Sequence, residues 1–369
     1  MVFIGKFSYI AVAMKIFLPI SAILLAAIDS FAGAPPKASV PLEPLFFGGR
    51  WVTTEEMSRT SSPAAAMRVA FSGTSVSAEI EGKARWKVTV DGKDQKEVVT
   101  DARKEYILAK GLGKKKHTLT LTRKTECLPG DVRIYAVTAA PGAKALPAPK
   151  LPNKRRIEFI GDSYTVAYGV EAKNGRDGTA FTRTNTTKGY AYLSAQKLNA
   201  DYQINAFSGR GLVRNFEDIV PEWTIPTLYE YAIPGMTEEG EAPRWDFAKW
   251  HPQVIVLFVG INDWQGHGPY PEASGFDRAY AEFMDKLRKL HPGVKFLLIS
   301  TKIWPEDSLT PRVKTIFEHE KAEGRTDVNF TIVSSRNTAL DGHPDVRSQK
   351  AMSDKIAPLI ARLAGWTSK

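Results

Sequence analysis

Four short blocks of the 369-residue chain carry side chains that could together perform acyl transfer. Ile160-Gly161-Asp162-Ser163-Tyr164-Thr165 presents a serine hydroxyl just after a glycine that lets the chain turn. Ser208-Gly209-Arg210-Gly211 offers a glycine N–H that can face an oxyanion, and Val259-Gly260-Ile261-Asn262-Asp263-Trp264 offers a side-chain amide donor. Asp341-Gly342-His343-Pro344 supplies an imidazole. A neutral His343 ring could take the Ser163 proton as the hydroxyl attacks a carbonyl, and return it to the departing alcohol. The backbone N–H groups of Ser163 and Gly209 and the Asn262 side chain would hold the charge that develops on oxygen. One such donor is typically worth about 3–4 kcal/mol of barrier height. Asp341 is the candidate to hold the other ring nitrogen. Asp162 is assigned to shaping the turn.

Alone, each block has a plainer use. Asp and Ser cap helices, glycines turn loops, and a histidine before proline can be surface decoration. The histidines at 117, 251, 267, 291 and 319 have no comparable company. The argument for catalysis is that all four blocks fall, in order, where strands or loops end on one rim.

The elements that must position them follow from periodicity. Apolar runs at 157–160, 202–207, 254–259, 296–299 and 328–333 are separated by helical stretches. In the stretch 276–291, Tyr280, Phe283, Met284, Leu287 and Leu290 make one apolar face. A last helix is expected over 345–363. Continuous apolar strands alternating with amphipathic helices specify a parallel sheet covered on both faces, with ligand sites at the strands' carboxyl ends.

Residues 40–140 read differently. Met67, Val69 and Phe71 alternate with polar neighbours, as do Val76, Ala78 and Ile80, then Trp86, Val88 and Val90. Leu119 and Leu121 repeat the pattern, as do Val132, Ile134 and Ala136, and Asp91-Gly92 is a hairpin signal. Short strands without helices imply an all-β sandwich of jelly-roll type. The Ala/Pro-rich residues 141–153 are expected to be a semi-rigid linker, and 154–369 the α/β domain.

Residues 1–32 have the layout of an export signal. Lys6 and Lys15 precede an apolar run at 16–28, and Ser30-Phe31-Ala32 closes it with small residues. Thirteen apolar residues interrupted by Pro19 are short for a membrane span, so the expectation is a periplasmic or extracellular protein without stable membrane insertion. Cys127 is the only cysteine, which excludes an intramolecular disulfide; it is expected to be a small buried or half-buried residue. The net charge of +10 is spread along the chain. The runs Lys114–Lys116 and Lys154–Arg156 read as solvated turns rather than a nucleic-acid face, and a basic exported protein suits anionic cell-wall or plant polymers. No Cys/His/carboxylate cluster has metal-ligand spacing, and the chemistry needs no metal or cofactor.

The four blocks resemble the SGNH hydrolase superfamily, through Ser163, Gly209, Asn262 and His343. Gly49-Arg50-Trp51, Lys124-Thr125-Glu126 and the blocks around Ser163, Gly209 and His343 are similar to carbohydrate esterase family 2. The resemblance implies a flavodoxin-like α/β/α domain behind an N-terminal β-sandwich, and removal of O-acetyl groups from plant polysaccharides such as xylan and glucomannan. Lipase, thioesterase and peptidoglycan O-acetyl esterase activities share the constellation. A glycan-binding protein without catalysis is the alternative of a different class. Many members of the superfamily place an aspartate three residues before the histidine. Here that position is Leu340, and the resemblance implies that a main-chain carbonyl can orient the ring instead. Trp264, Trp304 and Tyr164 are the candidate aromatic wall for a sugar.

Overall fold

The computed structural model describes residues 39–127, 130–148, 150–151, 154–234 and 242–366. The export signal expected over 1–32 lies outside them. No helix among the described residues is long and apolar enough to cross a membrane.

The N-terminal half is two antiparallel sheets, as the period-two pattern requires. In one, Lys104–Lys110, Ser75–Glu81, Val132–Ala139, Ser58–Thr60 and Val52–Thr53 lie in that order. In the other, Lys144–Leu146, Ala66–Ser72, Lys116–Arg123, Ala84–Val90 and Lys93–Asp94 do. Ser75–Glu81 alternates strictly between half-buried and buried positions. Its Val76, Ala78 and Ile80 join Met67, Val69, Phe71, Trp86, Leu119 and Leu121 in one apolar core. Asp91-Gly92 closes a two-residue hairpin, with Val90 opposite Lys93. Both turn residues have positive φ (51° and 77°), the twist that suits flanking strands.

Two expectations need correction here. The alternation at Val132, Ile134 and Ala136 fails at its last member. A register shift between Ile134 and Ala136 exposes Ala136 and turns Val137 inward. Within the segment expected to be a linker, Lys144–Leu146 is an edge strand paired with Ser72–Ala70; backbone pairing, invisible in Ala/Pro composition, holds it.

The C-terminal half is a five-stranded parallel sheet of β1 (Arg156–Gly161), β2 (Asp201–Ala206), β3 (Val254–Phe258), β4 (Lys295–Thr301) and β5 (Val328–Val333), in the order β2-β1-β3-β4-β5. All five residues of β3 are buried, as expected of a strand covered on both faces. The helices include α1 (Ser163–Val166), α2 (Tyr190–Lys197), α3 (Ala273–Leu290), α4 (Leu309–Ala322) and α5 (Val346–Ala364). The buried residues of α3 are Phe276, Tyr280, Phe283, Met284 and Leu287.

The halves meet across a polar interface within one compact unit. Arg50, buried, donates to Gln203 Oε1 (3.2 Å), to the Tyr231 carbonyl (2.9 Å) and to Glu158 (3.3 Å). Arg85 pairs with Glu97 (2.8 Å) on its own side and with Glu171 (2.9 Å) across the interface.

Candidate active site

The strand order reverses between β1 and β3, and the crevice at their carboxyl ends is where a ligand fits an open α/β sheet. A cleft of about 660 Å³ opens there, lined by residues from all four sequence blocks.

Ser163 is the first residue of α1, directly off β1. Asp162 caps the helix, its Oδ1 accepting from the Tyr164 N–H at 3.0 Å. Its Oδ2 is buried without a partner. Burial, opposed by the Tyr164 amide and reinforced by nearby Asp263, pushes the carboxyl up to about 7. The turn admits only glycine at 161, because a Cβ there would lie 2.1 Å from Thr165 Oγ1 and 2.7 Å from the Phe258 carbonyl.

His343 Nε2 lies 2.9 Å from Ser163 Oγ, and its Nδ1 lies 3.0 Å from the Leu340 carbonyl. A carbonyl can only accept, so Nδ1 carries the ring proton and Nε2 keeps its lone pair for the serine O–H. Burial lowers the His343 pKa below its ordinary value, against the smaller raising effects of the Leu340 carbonyl and Asp341. The ring is therefore the neutral base that proton abstraction needs.

The Asp341 carboxylate is not on the ring. Its Oδ2 accepts from the Tyr168 hydroxyl at 2.9 Å, while its own N–H donates to Gly175 O at 3.0 Å. The backbone of Asp341 is left-handed (φ 50°), which carries the chain through the tight turn at Leu340–Gly342 and brings the Leu340 carbonyl under Nδ1. Tyr168 stacks obliquely on His343, ring centroids 4.6 Å apart. Sequence reasoning missed Tyr168, because nothing local to it signals a partner 173 residues away.

Gly209 follows β2 with φ +75°, and a Cβ there would meet nothing within 4 Å, so backbone conformation rather than crowding calls for glycine. Asn262 follows β3. Its Nδ2 donates to the Arg210 carbonyl at 2.9 Å, which leaves its second N–H for the cleft that it lines. Asp263, also missed, clamps the next loop: its carboxylate accepts from the N–H groups of Leu212 (2.9 Å), Val213 (2.7 Å) and Arg214 (3.0 Å). Burial still raises its pKa, despite those three amides. The Asn-Asp pair was the available signal, read only for its first member.

The three aromatic candidates separate. Trp304 lines the cleft and is 82% exposed, its loop pinned by Gln265 Nε2 on the Trp304 carbonyl (2.7 Å). Tyr164 lines the cleft but is largely buried, edge-on to Phe258 and bonded through its hydroxyl to Asn337 (2.8 Å). Trp264 is not among the cleft's lining residues. The short turn Asn262–Trp264 swings its ring onto Phe276 of α3, 5.6 Å between centroids. No group of three or more His, Cys, Asp or Glu among the described residues is set to hold a metal ion.

Residues 159–330, which hold Ser163, Gly209 and Asn262, match the GDSL-like lipase/acylhydrolase family. Residues 47–149 match the carbohydrate esterase 2 N-terminal family. Both halves of the chain thus match family models, and the solved structures that it resembles include family two carbohydrate esterases. It is 33% identical over 228 residues to an acetylxylan esterase / glucomannan deacetylase of Cellvibrio japonicus, covering 60% of this chain and 61% of that protein. It is 29% identical over 306 residues to the cellulase/esterase CelE of Acetivibrio thermocellus, covering 80% of this chain but 36% of CelE. The chain thus spans less than two thirds of the length of either relative. Its fold matches a family two carbohydrate esterase from Clostridium thermocellum solved with cellohexaose, with a TM-score of 0.80 and 27% identity over 88% of this chain and 100% of that one.

Proposed function

We propose that this chain is an exported serine esterase that removes O-acetyl groups from a polysaccharide of the xylan or glucomannan type. The observation that carries the reading is the chain of contacts from Ser163 Oγ through the His343 ring to the Leu340 carbonyl. Ser163 attacks the acetyl carbonyl while Nε2 removes its proton. The N–H groups of Ser163 and Gly209 and the free Asn262 N–H hold the oxyanion. His343 then protonates the sugar oxygen as it leaves, and water, activated by the same ring, releases acetate from the acetyl-enzyme. The geometry supports a dyad with a main-chain orienting group, with Asp341 acting on the turn rather than on the ring. Exposed Trp304 supports a sugar-binding wall, and the likeness to the C. japonicus deacetylase supports an acetylated plant polymer. The leader-like residues 1–32 support export.

The test is turnover of 4-nitrophenyl acetate by wild type and Ser163→Ala, followed by acetate release from acetylated xylan, glucomannan and peptidoglycan in parallel. The expected result is loss of activity in the variant and preference for a plant polymer. Comparable turnover by both proteins would sink the esterase reading and leave a non-catalytic glycan-binding protein. Preference for peptidoglycan would redirect the substrate.

A further inference from the structure

The β domain gathers positive charge at the end that points away from the α/β half. The strand Lys116–Arg123 joins the two ends. At one, the Arg123 carbonyl accepts from the Thr186 hydroxyl of the α/β half at 2.9 Å. At the other, an eight-residue strand's length away, or roughly 24 Å, stands Lys116. Strand register brings four turns together there. Ser72 lies opposite both Lys116 and Lys144, Ser75 opposite Lys110, and Val90 opposite both Leu119 and Lys93. Turns 72–75, 90–93, 110–116 and 139–144 therefore sit side by side. They are also bonded to one another: the Leu112 N–H donates to the Thr74 carbonyl at 2.9 Å, and the Ala140 N–H to the Ser75 carbonyl at 3.1 Å. The buried His117 ring bridges two of them, its nitrogens 2.8 Å from Asp91 Oδ2 and from the Gly113 carbonyl.

These four turns carry six lysines, at 93, 110, 114, 115, 116 and 144, and one carboxylate, Asp91. All six lysines are exposed. Asp91 is taken up by its own turn, Oδ1 accepting from the Thr118 N–H at 2.9 Å while Oδ2 faces His117. The neighbouring Asp94 is paired with Lys87 at 3.2 Å. The charge of Lys115 is felt at Asp91, but among the described residues none of the six ammonium groups has a hydrogen bond or ion pair. Like charges held together on a fixed frame repel, and none of the six is buried in packing that would offset it. The turns contain no arginine and no aromatic residue, so they offer neither forks for phosphate nor faces for stacked bases. Their residues include no exposed large hydrophobic side chain, so they carry no apolar anchor for a bilayer. What they present is a set of mobile point charges in fixed places, which suits a chain with carboxylates spaced along it.

We propose that this lysine platform is a second, non-catalytic binding surface for an anionic polysaccharide, a chain bearing uronate carboxylates, and that it tethers the protein to the polymer. The choice of a polysaccharide rests on the esterase reading above; the charge platform does not. Held by several weak contacts, the protein gains effective concentration over neighbouring ester groups with no change at Ser163. Each exposed ion pair adds little, so binding takes several lysines at once and falls steeply with salt. No platform residue lines the catalytic cleft, which makes tethering and turnover separable.

The experiment titrates polygalacturonate, single-stranded DNA and phosphatidylserine vesicles against wild type and three triple variants, at about 20 mM and about 300 mM salt, with a thermal melt of each protein. One variant combines Lys114→Gln, Lys115→Gln and Lys116→Gln. The second combines Lys93→Gln, Lys110→Gln and Lys144→Gln, which only the fold brings beside that run. The third, Lys249→Gln with Lys289→Gln and Lys321→Gln, removes the same charge from exposed positions of the α/β half. Each platform variant is expected to weaken polygalacturonate binding about fivefold or more at low salt, and the third to stay within about twofold. Wild-type binding should be nearly lost at high salt, and 4-nitrophenyl acetate kinetics should match wild type in all three. Equal losses in all three variants would reduce the effect to net charge and overturn the proposal. So would wild-type binding by the folded 93/110/144 variant, or tighter binding to DNA or vesicles than to polygalacturonate. Turnover surviving in Ser163→Ala overturns the esterase reading alone, since the binding measurement needs no turnover.

Discussion

Replacing Asp341 separates a dyad from a triad by about three orders of magnitude. In a serine triad the aspartate bonds the histidine ring, and its amide analogue costs about 10⁴ in kcat by stabilising the wrong tautomer. Here Nδ1 donates to the Leu340 carbonyl, and the Asp341 carboxylate accepts from Tyr168. Asp341→Asn keeps an acceptor for that hydroxyl and tolerates the left-handed backbone at φ 50°. It removes only the charge, which lies at an exposed position. The expected loss in kcat/KM is therefore under about tenfold, or ~1.4 kcal/mol. Because the Asp341 charge raises the His343 pKa, the acid limb of the profile should also move to lower pH. Asp341→Ala loses the Tyr168 bond, about 0.5–1.5 kcal/mol, and adds about 1–2 kcal/mol of left-handed strain. It should cost stability, seen as a lower melting temperature, more than it costs chemistry. Tyr168→Phe breaks the same bond without the strain and should cost only a few-fold. Steady-state kinetics on 4-nitrophenyl acetate with melts on each variant read all three. A folded Asp341→Asn protein that loses about a thousandfold would refute the main-chain orienting role.

Asn262→Ala should lower kcat about a hundred- to a thousandfold with KM little changed, the usual cost of one oxyanion donor. Trp304→Ala should raise KM for acetylated xylan about fivefold, the equivalent of ~1 kcal/mol of stacking, and leave 4-nitrophenyl acetate hydrolysis unaltered. The same substitution at Trp264 should instead lower the melting temperature, since that ring packs on Phe276. Wild-type kcat/KM should hold level down to a pH below about 6.5, because burial depresses the His343 pKa and keeps the ring neutral.

Placement that is local in sequence was legible. Ser163, Gly209, Asn262 and His343 stand at the ends of elements whose apolar runs announce themselves, and the Asp91-Gly92 hairpin needs only its two residues. What stayed hidden depends on partners far along the chain. Tyr168 gains meaning only from Asp341, and Asp263 only from residues 212–214. The aromatic wall could not be sorted because Trp264 and Trp304 both follow strand ends, and a short turn decides which ring meets the cleft. The Ala136 reversal and the strand at Lys144–Leu146 have the same origin, since pairing register overrides pattern.

The central claim is that the acetyl group passes through Ser163. Mixing the wild-type protein with 4-nitrophenyl acetate, quenching in acid within the first turnovers and mapping peptides by mass spectrometry tests it directly. The account predicts one acetyl group on the peptide that carries Ser163, absent from Ser163→Ala under the same quench. Acetate release by Ser163→Ala at the wild-type rate, or an acetyl group carried only by another side chain of an active wild-type protein, would contradict it.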